Sequence, residues 1–495
     1  MTNHPRTALV LALSAAAVAA SFTVARADHS GGGLAWGECA PGALPQQQCA
    51  TLSVPRDYSD PDGPRLSLAV SRIRSERPEA RRGTLMVIPG GPGSSGVQRL
   101  TQKGEALAEE MDGAYDLVAF DPRGVGGSTT ASCGLDENDR RLENLRSWPA
   151  ADGSIDENVS RSRRTAEACR RDGGETLHSF TTANQVRDLD RLRQALGEEK
   201  ISAWGVSYGA YVGAVYAQKY PRHTDRWVLD SSGDPDPQRV AQGWMRNMAR
   251  GAEDRFPDFA AWAAHPDRAK EALRLARHAE DVRPLFLDLA ARLDRVPKES
   301  TTPGTPVSGN ILRQALQNAL YSDSAFPALA RMIVAAGSQD PAVRPALPPG
   351  LDKPLSDESL AVTVAVVCND VRWSGSVRSY ERAVAADRAR HPLTAGLPAN
   401  ITPCSFWRAP AEKPARITDD GPSNILMTQS LRDPATPYAG GLKMRAALGD
   451  RARLVTVEQG GHGNYLGNGN ACADRTVTEF LRTGVRPARD VSCAN

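Results

Sequence analysis

Three short apolar runs, each ending in a glycine-rich loop, constrain the fold of this chain more than any other feature. They read TLMVIPGGPGSSG from residue 84, YDLVAFDPRGVGGS from residue 115 and KISAWGVSYG from residue 200. Runs of roughly four to eight apolar residues are typical of strands buried on both faces, as in parallel sheets. The carboxyl ends of such strands deliver polar loops to one edge of the sheet. The sequence therefore predicts an open α/β sheet.

Helices are expected between these strands. TTANQVRDLDRLRQALG predicts a helix that Gly197 ends, and SYGAYVGAVYAQKYP predicts a second helix that Pro221 ends. The apolar face of the first helix carries Val186, Leu189, Leu192 and Leu196. Residues 133–180 are charged and are expected to form loops.

The character of the chain changes after about residue 233. Residues 235–345 show helical spacing without a good strand, and the strand pattern resumes at SNILMTQS and RARLVTVEQ. We therefore expect an α/β fold with a mostly parallel central sheet flanked by helices and a large, mainly helical cap insertion. The expected parts are residues 28–232 and 416–495 for the sheet domain and 233–415 for the cap.

A candidate nucleophile, Ser207, lies at one predicted strand-to-helix turn. The surrounding residues 205–209 read GVSYG, the G-x-S-x-G pattern that exposes a serine on a sharp turn. The pattern also occurs by chance, and Ser207 could be an ordinary small residue in a glycine-rich loop. The strand before it and the helix after it are the context that the catalytic interpretation requires.

A serine nucleophile needs a base and an acid that orients the base. Asp433 follows the predicted strand ILMTQS, and His462 follows RLVTV, in the chain order serine, aspartate, histidine. Asp433 could instead cap a helix after Pro434, and His462 could be an exposed loop residue. Their shared position at strand ends favours a Ser207–Asp433–His462 catalytic triad.

Acyl chemistry also needs hydrogen-bond donors for an oxyanion. The N–H of Tyr208, directly after the candidate nucleophile, is one expected donor. The loop PGGPGSSG should supply the other, with Gly91 as our choice and Gly90 as the alternative. The loop lacks the glycine spacings of nucleotide-binding motifs, which argues against phosphate binding.

The N-terminus and the cysteines indicate export. Residues 1–27 combine a weakly basic start, an alanine-rich apolar run and an A-x-A site, as in a cleaved signal peptide; a membrane anchor is the alternative. We expect a secreted, extracellular protein. Sequential pairing into four structural disulfides is our choice among many possible connectivities, and a zinc site is disfavoured because C-x-x-C spacing is absent. The cysteines are Cys39, Cys49, Cys133, Cys169, Cys368, Cys404, Cys472 and Cys493.

Net charge excludes one class of partner. Lysine and arginine number 60 against 58 aspartates and glutamates, which leaves a formal charge of +2. Nucleic-acid binding needs a much more basic surface, so no nucleic-acid partner is expected. No membrane partner is expected after signal cleavage, and nothing in the chain demands more than a monomer.

The motifs PGGPGSSG, FDPRGVGGS, WGVSYGAYVG, SLRDPATP and GGHGNY, in this order, resemble one branch of the α/β-hydrolases. It is the branch of secreted tripeptidyl aminopeptidases and prolyl aminopeptidase-like serine hydrolases. The stretch from Ile425 to Cys493, together with VVCND and PCSFW, resembles the same branch. Pro89 stands where prolyl aminopeptidases usually have histidine, which favours the tripeptidyl type. The resemblance is thin over residues 235–345.

The resemblance implies a hydrolase that releases short peptides, tripeptides by expectation, from substrates with a free N-terminus and without metal or organic cofactor. Asp121 and Arg123 match the family's DxRGxG turn, and we expect them to form an ion pair. Asp370 is our candidate for the carboxylate that binds the substrate's α-amino group, with a helix-capping acid as the alternative.

Two other functions remain open at this stage. A carboxylesterase would use the same triad, and an all-apolar pocket would favour it over a peptidase. A hydrolase fold turned binding module is disfavoured because such proteins usually lose a triad residue.

Overall fold

The computed structural model describes residues 33–238 and 240–494, and these are organised around one ten-stranded sheet. The strand order across the sheet is β1-β2-β3-β5-β4-β6-β7-β8-β9-β10. Strands β4 to β10 run parallel to one another, while β1, β2 and β3 are antiparallel to their neighbours. The strands are β1 Gly37–Glu38, β2 Gln47–Pro55, β3 Arg65–Ile73, β4 Gly83–Ile88, β5 Tyr115–Phe120, β6 Ile201–Val206, β7 Thr224–Asp230, β8 Ile425–Arg432, β9 Ala452–Gly460 and β10 Val491–Cys493.

Fourteen α-helices lie in the described part of the chain and cover or extend this sheet. They are α1 Gly96–Met111, α2 Leu142–Leu145, α3 Asp156–Ala168, α4 Gly174–His178, α5 Thr182–Ala195, α6 Tyr208–Lys219, α7 Val240–Ala264, α8 Ala279–Arg295, α9 Gly309–Ala319, α10 Phe326–Gly337, α11 Asp357–Asp370, α12 Val377–Arg390, α13 Tyr438–Leu448 and α14 Ala471–Thr483.

Alternate residues of the buried strands serve two separate cores, one on each face of the sheet. In β4, Leu85 and Val87 pack with α1 and α14, whereas Met86 and Ile88 pack with α5, α6 and α13. This is the period of two that a strand buried on both faces requires. The predicted α/β class, a mostly parallel sheet flanked by helices, is confirmed.

Helix α5 confirms the helix that was predicted from its local sequence. Val186, Leu189 and Leu192 are fully buried, and Gly197 has a φ of 74° just after the helix. The hydroxyl of Thr181 caps its N-terminus by accepting the N–H of Asn184. The apolar spacing and the glycine stop that predicted this helix are both present in the structure.

The long insertion between β7 and β8 is helical and contains α7 to α12. Most of it has a hydrophobic core of its own, in which Phe256, Phe259, Phe286 and Phe326 are packed together. Helix α11 differs, because its apolar residues join the core beneath α5 and α6. The insertion is therefore seated on the sheet domain through α11.

Residues 133–180 were expected to form loops, and this expectation was wrong for α2, α3 and α4, of which α3 is the longest. Its buried face is small and polar, with Asn158, Ser162 and Thr165, so the segment lacks the apolar periodicity that marks a helix. The segment packs against the insertion: the Asp357 carboxylate accepts the N–H groups of Cys133 and Leu135.

All eight cysteines are paired in chain order. The bonds are Cys39–Cys49, Cys133–Cys169, Cys368–Cys404 and Cys472–Cys493. Cys368–Cys404 ties α11 to the end of the insertion, and Cys472–Cys493 ties α14 to the last strand of the sheet. The expected signal peptide lies outside the described residues, and within them no helix is long and apolar enough to cross a bilayer.

The expected ion pair between Asp121 and Arg123 does not form. Arg123 instead binds the carboxylate of Asp188 in α5 through two nitrogens, at 2.6 and 2.8 Å, and both side chains are almost fully buried. Asp121 accepts the hydroxyl of Ser95 at 2.6 Å and the N–H of Val97 at 3.1 Å. Asp121 therefore holds the start of α1, directly after the glycine loop, and Arg123 joins that region to α5.

Replacing Asp188 by alanine should lower the free energy of unfolding by about 3–5 kcal/mol, because the Arg123 guanidinium would stay buried without its counter-charge. Urea unfolding with the disulfides intact measures the change. Glu175→Ala, which breaks an exposed pair with Arg408, is the matched control and should cost about 0–1 kcal/mol. Equal effects of the two substitutions would contradict this role of the buried pair.

Candidate active site

Ser207 lies in the turn between β6 and α6, with backbone angles φ 61° and ψ −124°. Residues with a side chain rarely adopt a positive φ, so this conformation is held by its surroundings. The Ser207 N–H donates to the carbonyl of Asp230 at 2.9 Å, and the Ser207 carbonyl accepts the N–H of Ala210 at 2.9 Å. The side chain is thereby presented at the carboxyl end of β6.

Two glycines make this turn sterically possible. A β-carbon at Gly209 would lie 2.3 Å from the carbonyl oxygen of Ile88, and one at Gly205 would lie 2.3 Å from the carbonyl oxygen of Gly209. Such contacts cannot exist, so any larger residue would push β4, β6 and α6 apart. The glycines are a packing requirement here, which argues against an ordinary glycine-rich loop.

Asp433 and His462 are brought together from the ends of β8 and β9. His462 Nδ1 lies 2.9 and 3.0 Å from the two carboxylate oxygens of Asp433, which is 1% exposed. The same carboxylate accepts the N–H groups of Ala435 and Thr436, both at 2.8 Å. Because a carboxylate can only accept, Nδ1 carries the proton and Nε2 keeps its lone pair. Asp433 therefore both caps the turn that follows it and orients the ring of His462.

The loop that carries His462 is held by a second buried carboxylate and by the helical insertion. Asp230, at the end of β7, accepts the N–H groups of Asn464 and Tyr465 at 2.9 and 3.0 Å. The N–H of His462 donates to the carbonyl of Tyr321 at 3.0 Å, and the two rings meet edge to face. Neither Asp230 nor Tyr321 was expected, because a backbone contact across 141 residues leaves no local sequence pattern.

Burial and the neighbouring negative charges have opposite effects on the pKa of His462. Burial, the largest effect, disfavours the imidazolium, but the charge and hydrogen bond of Asp433 and the charge of Asp230 favour it. Arg99 opposes them with its positive charge. Together these effects raise the pKa of His462 above its ordinary value.

Ser207 and His462 line one cavity of about 520 Å³ between the sheet edge and the insertion. The described residues include no direct hydrogen bond between the Ser207 hydroxyl and the His462 ring. Such contacts are often long before a substrate binds and tighten in the complex. The structure thus places all three predicted triad residues around one cavity, with the Asp433–His462 pair formed.

The expected oxyanion donors lie in the same cavity. Tyr208 opens α6, and Gly91 lies in the loop after β4 with a φ of 107°. Among the described residues, no acceptor binds the backbone N–H of Tyr208, Gly91 or Gly90. A β-carbon on Gly90 would lie 3.1 Å from that of Ser207, so the glycine loop approaches the candidate nucleophile closely. Both glycines therefore remain available as donors.

Asp370 lies where a helix-capping acid would lie, which was the alternative to its binding the substrate's α-amino group. Its carboxylate accepts the N–H of Thr182 at 2.9 Å and the Thr182 hydroxyl, at the start of α5, and it is not among the residues that line the cavity. That hydroxyl also meets the phenol of Tyr208 at 2.7 Å. Burial, opposed by the two bonds from Thr182, raises the pKa of Asp370 to about 6. The geometry favours a structural role beneath Tyr208 over contact with a substrate amine.

The cavity walls are mostly apolar and carry positive charge. The insertion contributes Trp244, Met245 and Met248 from α7, and α11 contributes Val364 and Val367. Its charged lining residues, among those described, are two arginines, Arg99 and Arg146, and no aspartate or glutamate. Within the described part of the chain, no cluster of three or more histidine, cysteine or acidic side chains could hold a metal ion.

Comparison with known proteins gives a consistent set of relatives. Residues 393–493 match the family model described as TAP-like protein. A tripeptidyl aminopeptidase of Streptomyces lividans is 34% identical over 494 residues, covering 96% of this chain and 89% of the relative. In Mycobacterium tuberculosis, serine protease Hip1 is 28% identical with 90% and 87% coverage, and carboxylesterase B is 29% identical with 90% and 86% coverage.

The parallel sheet, the strained serine turn and 34% identity over almost the whole chain lead to one assignment. The chain belongs to the tripeptidyl aminopeptidase family, serine peptidases built on the α/β-hydrolase fold.

Proposed function

We propose that this protein is a secreted serine exopeptidase that releases short peptides, tripeptides in the first instance, from substrates with a free N-terminus. The catalytic groups in this proposal are Ser207, His462 and Asp433. One observation carries it: a serine on a strained turn and an aspartate-bound histidine line the same cavity.

The proposed reaction has two steps. His462 Nε2 takes the proton of Ser207 as Oγ bonds to the scissile carbonyl carbon, and Asp433 stabilises the imidazolium that forms. His462 then gives this proton to the leaving nitrogen as the carbon–nitrogen bond breaks, which leaves an ester on Ser207. A water, deprotonated by His462, releases the acyl peptide and restores the serine.

Negative charge develops on the carbonyl oxygen in both steps. We assign its stabilisation to the free N–H groups of Tyr208 and of Gly91, or of Gly90, which line the same cavity as Ser207. Removing one such donor typically costs roughly 100- to 1,000-fold in rate. These donors need no rearrangement, because the helix start and the glycine loop already fix them.

The cavity supports action at a chain end. Its volume of about 520 Å³ falls within the range of roughly 300–1,000 Å³ typical of small-ligand pockets. The insertion covers it with α7 and α11, and Tyr321 closes the wall beside His462. A short N-terminal segment fits a pocket of this size, covered by the insertion, better than the middle of a long chain.

Export is supported by the four disulfides, since such bonds persist in oxidising compartments. The expected signal peptide at residues 1–27 would provide the route.

A carboxylesterase is the second candidate, and the cavity lining favours it. No carboxylate among the described lining residues is available to bind an α-ammonium group, and most of the lining is apolar. One relative is named carboxylesterase B. Esters and amides share the same triad chemistry, so only substrates distinguish the two functions.

A tripeptidyl aminocoumarin and its N-acetylated form test the exopeptidase directly. We expect release of aminocoumarin from the free-amine substrate alone, and none by Ser207→Ala. Equal cleavage of both substrates would indicate an endopeptidase. Hydrolysis of simple esters without either peptide would establish the esterase.

The pH dependence of hydrolysis follows from the raised pKa of His462. Because the imidazole stays protonated to higher pH, kcat/KM should rise with pH around a midpoint above the ordinary histidine value of about 6.5. Asp433→Asn removes the charge that raises this pKa, so it should lower both the midpoint and the rate. A wild-type midpoint below the ordinary value would contradict the proposed pairing.

A further inference from the structure

Two arginines without partners line the candidate active-site cavity. Arg99 and Arg146 are both half-buried, and neither forms a side-chain hydrogen bond or ion pair with any described residue. By contrast, among the described residues the buried Arg123 is paired with Asp188 and the buried Arg313 with Asp294. Burying part of a guanidinium without a counter-ion costs desolvation free energy. An anion bound in the cavity would offset this cost for both arginines.

Arg99 projects from helix α1, and its guanidinium lies over an aromatic ring. It lies in the first turn of α1, and its guanidinium carbon is 5.0 Å from the centre of the Trp204 ring. Its Nε is buried without an acceptor. Asp230 is the nearby carboxylate, but Asp230 is bound to the N–H groups of Asn464 and Tyr465 and forms no ion pair with Arg99. The Arg99 guanidinium is therefore available to pair with an anionic group bound in the cavity.

Arg146 lines the same cavity from a different segment of the chain. It follows α2, which packs on α9, and α9 leads to Tyr321. Arg146 and Tyr321 both line the cavity. Burial raises the pKa of Tyr321, and the positive charge of Arg146 opposes this rise. No acidic side chain lines the cavity between Arg146 and Arg99 in the described chain.

Both arginines border the His462 side of the cavity. Helix α1 meets the His462 loop one turn after Arg99, where Lys103 Nζ donates to the Leu466 carbonyl at 2.6 Å. Tyr321, beside Arg146, accepts the N–H of His462 and packs on its ring. In the proposed mechanism His462 hands its proton to the leaving nitrogen, so the departing residue lies on this side.

We propose that Arg99 and Arg146 form a carboxylate-binding subsite for the leaving part of the substrate. This inference rests on the proposed serine-hydrolase function and adds a substrate class to it: peptides with a carboxylate on the residue that follows the cleaved bond. A carboxylate matches the planar fork of a guanidinium and supplies the missing counter-charges. Its source is either the free C-terminus of a short peptide or an acidic side chain.

Two pairs of substrates separate these sources. Tetra-alanine with a free C-terminal carboxylate is compared with its C-terminal amide, and Ala-Ala-Ala-Asp-Ala-amide is compared with its asparagine analogue. We expect the acid of at least one pair to be cleaved on the order of 10- to 100-fold faster in kcat/KM, the value typical of a charge-assisted hydrogen bond. The pair that shows the preference identifies the source.

Arg99→Gln, Arg146→Gln and the double variant test the subsite, each assayed on the plateau of its own pH profile. The ratio of acid to amide kcat/KM should fall in each single variant and approach one in the double variant. Arg222→Gln is the matched control: it removes one positive charge at the far end of β7, and Arg222 is exposed. It should keep the wild-type ratio.

Direct binding to Ser207→Ala keeps the two proposals distinguishable. Calorimetry should show tighter binding of the intact peptide acid than of its amide, and this difference should vanish when both arginines are replaced. Equal binding and equal cleavage of acid and amide would overturn the subsite while leaving the triad intact. Discrimination in binding without Ser207-dependent cleavage by the wild type would instead reject the proposed hydrolase function.

Discussion

The close packing of the Ser207 turn against β4 is the constraint on which the rest of the site depends. The turn fits only because Gly209 places no β-carbon against the carbonyl of Ile88 and Gly205 places none against the carbonyl of Gly209. The loop after β4 also passes close to Ser207, since a β-carbon added to Gly90 would lie 3.1 Å from that of Ser207. One steric arrangement thus sets the position of the candidate nucleophile and of the donors that would serve it.

Asp230 extends this arrangement to the histidine. Its backbone carbonyl accepts the N–H of Ser207, and its side chain binds the N–H groups of Asn464 and Tyr465. A single residue at the end of β7 therefore links the serine turn to the His462 loop. Asp433, one strand further across the sheet, then needs only to orient the ring.

The sequence predicted those parts of the molecule that have local signatures. The parallel strands, α5 and α6 followed from apolar spacing and from the glycine and proline stops, and Ser207, Asp433 and His462 were proposed as a triad because each follows a strand. The ion pair of Arg123 with Asp188 and the contact of Tyr321 with His462 depend on which distant segments meet, so no local pattern reveals them. For the same reason Asp370 was expected at the substrate, whereas it lies at the start of α5.

The charge of the cavity under the helical insertion could not be predicted from the sequence either. The helices of the insertion were predicted from their residue spacing, but the positive charge of the cavity depends on how α1, α2 and the insertion come together in the fold. An unpaired arginine looks like any surface arginine in the sequence. Only burial and the lack of a partner mark Arg99 and Arg146 as groups that await an anion.

The most direct test of the account is covalent trapping with a fluorophosphonate, followed by mass-spectrometric mapping of the modified residue. We expect one adduct, on Ser207, that is absent in Ser207→Ala and forms far more slowly in His462→Ala. Labelling at another residue, or labelling of Ser207 that is indifferent to the loss of His462, would contradict the central claim that this turn and this histidine form one catalytic site.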